Sequence, residues 1–498
     1  MDKSQYKPRA IITTDLECDD MNSLIHLCLF LNEIDIDGII YTSSQFHFNG
    51  DGVHTLGEVN ENYRCLGEAA YLTHIGYPHP DPNAKDLKAY RPFEEGWIES
   101  LWLNEYASVY PFLIKNAPGF PTPEYLSSIT KYGNIAFEGD VRFDTEGSDF
   151  IKDAILDEDE RILYLLSWGG VNTIVRALMA IADQYRGTDQ WNRIYDKVCN
   201  KIRILGMADK IGQDNSFVDH AEPLFPDLKI LNTDFMYGGF MAAAMEQEDC
   251  KELFQSKWLC EHIKFGHGEL LSKYGLFGDG TYYQGEADIF QYGEQLSLNW
   301  GFDAIPNLVF DKYDFLGEGD SGTYVPLLNV GLRGLENGAY GTLLGRVFEN
   351  SPDSGNEYNF FDGKKGVPNR FLRAYQEEWA ARAEWCIKPF KECNHPPIVE
   401  VQNQNISASP CEVVVLEGSA TDPDGDNLRC FWYVYLQGSV YQGSATDLRV
   451  WEPMKYCTSF TIPEDAQPGD VFNLILEVQD DAAKPITRYG QVLITTQE

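Results

Sequence analysis

Over most of the chain, short apolar runs alternate with stretches whose apolar residues recur at helical spacing. Arg9 to Thr14 (RAIITT) reads as a buried strand. Asn22 to Asn32 follows, with Leu24, Ile25, Leu27, Cys28 and Leu31 on one stripe, and predicts a helix. Ile36 to Ser43 predicts a second strand. Arg161 to Ser167 predicts another, followed by Trp168-Gly169-Gly170 and a helix over Val171 to Gln184. Lys201 to Met207 and Leu228 to Asn232 predict later strands. A strand-helix-strand opening of this kind implies an α/β fold: an open, mostly parallel sheet with helices on both faces. An aromatic-rich insertion, with Trp97, Trp102, Tyr106, Tyr110 and Phe112, interrupts it from about 48 to 150.

The pattern changes at His395-Pro396-Pro397. Beyond it come short alternating runs with turn signals, at Cys411 to Leu416, Leu428 to Leu436, Phe472 to Val478 and Gln491 to Thr496. The remaining length suits an all-β immunoglobulin-like sandwich of about 100 residues, with Trp432 as its core tryptophan on a central strand. The expected division is therefore 1–395 and 396–498, with Pro396-Pro397 as a stiff linker.

Composition narrows the function. The chain has 498 residues, with 39 Lys plus Arg against 77 Asp plus Glu, for a net charge of −38. Nucleic-acid binding runs on cationic side chains, so it is excluded as the main role. No apolar run approaches the length of a bilayer span. Met1 to Pro8 is short and polar, unlike a secretory leader. The expected location is secreted or periplasmic with a leader already removed, the alternative being intracellular. Eleven cysteines without C-x-x-C spacing do not form a zinc site or a disulfide scaffold.

The chemistry concentrates after the first strand, in Asp15-Leu16-Glu17-Cys18-Asp19-Asp20. Ligands of open parallel sheets bind at the carboxyl ends of strands. Four carboxylates within six residues repel one another unless a cation neutralises them. The competing reading is a solvated loop with Asp19 or Asp20 as a helix N-cap.

Ile11 to Asp20 resembles the N-terminal motif of nucleoside hydrolases, D-T-D-P-G-x-D-D. It keeps the second, third and fourth aspartates as Asp15, Asp19 and Asp20. Thr13 replaces the first, and Leu16-Glu17 replace Pro-Gly. Gly38 to His47, Gly317-Glu318-Gly319-Asp320-Ser321 and Arg370 to Cys386 are similar to a divergent branch, the nucleoside hydrolase-like cellulose-binding proteins. The resemblance implies one Ca²⁺ held by Asp15, Asp20, the carbonyl of Asn172 and Asp320, with Asp19 on sugar hydroxyls. Asp15 would take a proton from an activated water, and the glycosidic bond would break through an oxocarbenium-like state.

Ser44, Gln45 and Asp214 are further candidates for the sugar site, against ordinary strand-end and turn roles. Trp168 either stacks on a sugar or packs in the core. His47 is either structural or catalytic. Many nucleoside hydrolases carry a histidine before the last metal aspartate; here it is Gly319. Glu318 beside it becomes the candidate proton donor, which moves the expectation from nucleosides toward O-linked sugars. Asp422-Pro423-Asp424-Gly425-Asp426 is not an EF-hand, since Tyr433 stands at the twelfth position. It forms a plain turn or, with Asp480-Asp481, a structural Ca²⁺ site.

The leading expectation is a Ca²⁺-dependent glycoside hydrolase acting on a furanose-type sugar. The alternatives are a non-catalytic carbohydrate-binding (cellulose-binding) protein and a true nucleoside hydrolase. The partner is a carbohydrate or glycoside. Nucleoside hydrolases are usually oligomers, and an oligomer is possible here.

Overall fold

The computed structural model describes residues 7–63, 83–85, 87, 96–206, 213–232, 250–280, 297–298, 308–349, 357–360, 370–444 and 448–497. These fall into two compact units, 1–325 with 349–359, and 326–348 with 360–498.

Unit 1 is built on a parallel sheet. Its strands are β1 (Arg9–Thr14), β2 (Asp35–Tyr41), β3 (Thr130–Tyr132), β4 (Leu163–Ser167), β5 (Ile202–Gly206) and β6 (Lys229–Asn232). Their order is β3-β2-β1-β4-β5-β6, every pair parallel, and β7 (Glu357–Phe360) pairs parallel outside β6. Apolar runs such as RAIITT form strands because parallel sheets are covered on both faces; all six residues of β1 are buried. The helices are α1 (Cys18–Leu27), α2 (Glu146–Leu156), α3 (Asn172–Tyr185) and α4 (Trp191–Lys201). Ile174, Leu178 and Ile181 of α3 and Val198 of α4 close a core over Ile11, Leu165 and Ile204. The strand order turns around between β1 and β4. In open sheets of this kind such a reversal is where ligands usually bind.

The start of the first helix differs from the sequence expectation. α1 begins at Cys18, not at Asn22, so Asp19 and Asp20 lie in its first turn, where carboxylates suit the positive end of the helix dipole. In the aromatic insertion, two of the five named rings serve packing, while Trp97, Tyr110 and Phe112 are half-buried. Trp102 and Tyr106 are buried, and their polar atoms bond Thr130 Oγ1 (3.1 Å) and Pro121 O (2.9 Å). Residues 64–82, 86 and 88–95 of the insertion, and Met207, lie outside the described residues.

Unit 2 carries the sandwich. Its strands are β8 (Ile398–Val401), β9 (Asn405–Ala408), β10 (Val413–Thr421), β11 (Leu428–Val434), β12 (Val450–Trp451), β13 (Cys457–Thr461), β14 (Val471–Asp480) and β15 (Thr487–Thr496). They make two four-stranded sheets, β8-β10-β13-β12 and β9-β15-β14-β11. All pairs are antiparallel except β9 with β15. Trp432 is in the core between Leu416, Phe472 and Leu476, although its strand β11 ends a sheet and is not central. Pro396-Pro397 is no free linker. His395 is buried, its N–H donates to Asp424 at 2.7 Å, and its ring stacks on Phe390. Helix α5 (Leu372–Trp385) belongs to this unit and is held by a buried ion pair. Glu378 accepts from Arg488 at 2.6 and 2.8 Å and from Arg382 at 2.8 Å. Against the upward push of burial, these two arginines hold the Glu378 carboxyl down to about 2.

Candidate metal centre

The chain leaves β1 through Asp15 and turns sharply. Leu16 takes a left-handed backbone (φ 63°), which costs a non-glycine residue about 1–2 kcal/mol. The turn is held by Leu16 N–H donating to Thr14 Oγ1 (3.0 Å), and the same hydroxyl donates to Asp20. Helix α1 then carries Asp19 and Asp20 under the end of the sheet.

A second segment, Gly317 to Tyr324, lies along α1 and is fastened to it residue by residue. Asn22 Nδ2 donates to Gly317 O at 3.0 Å. Gly319 N–H donates to Asp19. Ser321 Oγ and Ser23 Oγ lie 3.1 Å apart, and His26 Nδ1 lies 3.0 Å from Glu318. This places Asp320 against Asp19 and Asp20: one ligand oxygen from each lies within 4.8 Å of the others, and all three residues are buried. A second trio, Asp15, Glu17 and His47, is equally tight. His47 Nδ1 is 3.7 Å from Asp15 Oδ2 and 3.7 Å from Glu17.

The electrostatics are unfavourable as they stand. Two carboxylates at such a distance repel by about 3 kcal/mol at an effective dielectric constant of about 20. Burial, then the charge of Asp15, pushes the Asp19 carboxyl up to about 7. Burial and the neighbouring aspartates raise Asp20 and Asp320 well above the usual range. Asp20 and Asp320 face each other within this trio, and Thr14 Oγ1 donates to Asp20. Asp320 Oδ1 is buried with no hydrogen-bond partner. A hard divalent cation answers both: it offsets the repulsion and takes the orphaned oxygen.

The other predicted residues separate into anchors and candidates. Asn172 is an anchor. Its amide bonds Thr42, Ser43, Asn134 and Asp140 at 2.7–3.1 Å, and it is the first residue of α3, so its carbonyl is directed into the helix. Asp214 is also an anchor. It accepts the N–H groups of Val171 and Asn172 (the latter at 3.1 Å) and caps α3 from outside, while Ser216 donates to its other oxygen. Trp168 is fully buried and presents no face to a ligand. Its indole N–H donates to Thr323 Oγ1 (2.7 Å), and Thr323 donates to Asp320 O (2.8 Å), so it braces the turn that holds Asp320. Ser44 Oγ accepts the N–H groups of Phe46 and His47 (3.0 and 3.1 Å) and shapes the turn that presents His47. Gln45 and the neighbouring Gln213 each keep a buried amide oxygen without a partner, joined through Gln45 N–H to Gln213 O at 2.9 Å. These oxygens suit a ligand's hydroxyl groups.

Glu318 departs most from expectation. It is fully buried, and both oxygens are engaged, by Tyr274, by Ser321 (2.7 Å) and by His26 (3.0 and 3.1 Å). That is the setting of an anchor, not of a proton donor. A general acid supplies about 10²–10⁴ in rate, so Glu318→Gln is expected to cost less than tenfold in turnover while lowering stability. A loss beyond a hundredfold with an intact fold would return Glu318 to the chemistry. Asn22, His26, Thr14 and Thr323 were not singled out from the sequence; each is a common polar residue whose partner lies elsewhere in the chain.

An α/β unit with a buried carboxylate centre at its switch point, joined in one chain to a β-sandwich, defines a nucleoside hydrolase-like protein with an accessory domain. The family profile described as "Cellulose-binding Sde182, nucleoside hydrolase-like domain" matches residues 9–347, and "Cellulose-binding protein Sde0182, C-terminal domain" matches 413–496. The chain belongs to this family of nucleoside hydrolase-like cellulose-binding proteins. A nucleoside hydrolase-related protein from Saccharophagus degradans, associated with carbohydrate metabolism, shares its fold: TM-score 0.68 and 23% identity over 99% of this chain and 100% of that one. A plant nucleoside hydrolase (12% identity, TM-score 0.29) and an inosine-guanosine nucleoside hydrolase (11%, 0.31) each align to 77% of this chain and to 100% and 99% of their own. No curated protein matches the chain.

Proposed function

We propose that this is an extracytoplasmic carbohydrate-active protein whose first unit binds a divalent cation, Ca²⁺ by the resemblance, and hydrolyses an N- or O-glycosidic bond of a furanose-type sugar. The observation that carries it is the buried trio Asp19, Asp20 and Asp320 with the orphaned Asp320 Oδ1. Asp15, Asp20 and Asp320 would hold the ion. When bound, it supplies Lewis acidity and neutralises the carboxylates. Asp15, beside His47, accepts a proton from water at Oδ2. Asp19 accepts hydrogen bonds from sugar hydroxyls, and the carboxylates favour positive charge developing at the anomeric carbon. Gln45 and Gln213 accept from the remaining hydroxyls. Among the described residues no helix is long and apolar enough to cross a membrane.

A second reading, a cation-held sugar site without turnover, is favoured by the engaged Glu318 and by glycine at 319. A hydrolysis screen of nucleosides, aryl furanosides and plant polysaccharides, with Ca²⁺ and with chelator, separates the two. Release that requires Ca²⁺ supports the enzyme; glycan binding without any release supports the binder. Metal analysis tests the site itself. Asp20→Asn and Asp320→Asn are each expected to reduce bound Ca²⁺ to below a tenth of the parent's, and a stoichiometric ion in both variants would remove the assignment.

A further inference from the structure

We infer that the outer face of the β8-β10-β13-β12 sheet, centred on Trp451, is a docking platform for a neutral polysaccharide with flat pyranose rings. The inference rests on the carbohydrate-binding side of the proposed function and goes beyond it by placing a glycan site in unit 2.

Strand alternation decides which side chains reach this face. Val414, Leu416 and Phe460 point into the core, so Val413, Val415 and Ser459 point out. Val450 pairs with the core residue Phe460, which turns Trp451 outward. Trp451 pairs with Ser459, and Ser459 with Val415, so the three form one row across neighbouring strands. At about 4.8 Å per strand the row is about 10 Å long, comparable to a disaccharide.

The exposure is large: Trp451 61%, Val413 59% and Val415 58%. Large apolar side chains grouped on a sheet face usually mark a binding surface. The tryptophan is also held in place. Its indole N–H donates across the strand to Thr461 Oγ1 at 3.3 Å, so the ring is fixed with most of its surface open. Holding a contact side chain in its bound position lowers the ordering cost of binding.

Charge selects the occupant. The chain carries −38, which repels anionic polymers and anionic membranes. Within the face the row of Val413, Val415, Trp451, Ser459 and Thr461 is uncharged, and the exposed carboxylate that flanks it in the same outward alternation, Glu417, adds to the repulsion of anions. A neutral patch with one broad aromatic ring and flanking hydroxyls fits the C–H face and hydroxyl edge of a sugar ring. The other occupants are a second copy of this chain or a protein partner, and the experiment separates them.

Full-length protein is tested for depletion onto crystalline cellulose and for retardation in gels containing neutral glucan, xylan or carboxymethylcellulose. Trp451→Ala should weaken retention on the neutral polymers at least tenfold, and Trp451→Phe, which keeps a stacking ring, should retain most of it. The carboxymethylated polymer should bind the parent more weakly than the neutral glucan. Trp451 is exposed, so Trp451→Ala should unfold with the parent; Val415→Thr is a milder variant of the same face and should weaken retention in the same direction. A separate cleft of about 440 Å³ in unit 2, bordered by Glu400, Gln402, Gln404 and Ser419, supplies the control. If Gln402→Ala with Gln404→Ala abolishes retention and Trp451→Ala does not, the platform is wrong. Concentration-dependent dimers lost in Trp451→Ala, with glycan retention unchanged, overturn it in favour of a self-interface. No retention of the parent on any glycan defeats the carbohydrate-binding reading itself; retention by parent and Trp451→Ala alike defeats only this inference.

Discussion

Ca²⁺ added to metal-free protein is expected to raise its stability far more at pH 8 than at pH 4.5. The sign follows from the buried aspartates. The Asp19 carboxyl stands at about 7 in the folded chain, against an ordinary 3.8. Between those values the folded chain binds more protons than the unfolded one, so metal-free stability falls as pH rises through this window. Asp20 and Asp320 are raised in the same direction and for the same main reason, burial, which carries the fall higher. A bound cation favours the ionised forms and removes the penalty where it is largest. At about a thousandfold excess over Kd, linkage predicts a gain of about 4 kcal/mol at pH 8. At pH 4.5 protons hold the oxygens and the gain should be close to nil. Urea unfolding of unit 1, with and without CaCl₂ at both pH values, measures the difference. Equal gains at the two pH values would contradict a centre made of these carboxylates.

Gly170→Ala should destabilise unit 1 by about 3 kcal/mol or more and abolish metal binding with it. A Cβ at this position would lie 2.2 Å from Ser43 O and 2.5 Å from Asp214 Oδ2. The first is the carbonyl that accepts the Gly170 N–H at 2.9 Å, and the second caps α3. Neither is a flexible chain end that can swing aside. The next residue back, Gly169, is under a related constraint: with φ +90°, its Cβ would press on the Asp15 carboxylate. Gly187→Ala is the control. It also has positive φ (+84°), but open space around it, so only the backbone strain of about 1 kcal/mol applies. Denaturant midpoints of the two variants should therefore differ clearly. Similar midpoints would mean that the turn after β4 can shift without cost to the centre.

The sheet was legible because its strands are buried on both faces and read as unbroken apolar runs, as in β1 and β4. Asp15, Asp19 and Asp20 stood out because they lie close in sequence after a strand, whereas Asp320, which the structure brings beside Asp19 and Asp20, was suggested only by the resemblance to a family motif. What could not be read is the direction in which each side chain is used. Trp168 beside a glycine turn looks the same in sequence whether it stacks on a ligand or braces Asp320 through Thr323. Glu318 looks like an acid poised at a pocket until His26, Tyr274 and Ser321 are seen to occupy it. Asn172 was assigned a carbonyl ligand's role, yet its amide ties together four backbone and side-chain groups from 42 to 140. Start points also slip: acidic residues at the head of α1 read as loop, because charge runs and helix N-termini share a composition.

The fastening between α1 and the 317–321 segment has a consequence for how the chain is made. Its bonds join residues 292, 295 and 298 positions apart. During synthesis at about 5–20 residues per second, Asp15, Asp19 and Asp20 emerge about 15–60 s before the residues that complete their surroundings. Throughout that interval the acidic N-terminal helix has no Asp320 turn to close on. Closure is thus among the latest steps in the biogenesis of unit 1, and capture of the proposed cation would mark a completed first unit while the sandwich is still being made. Truncations ending before residue 317 should accordingly collapse without acquiring the ion.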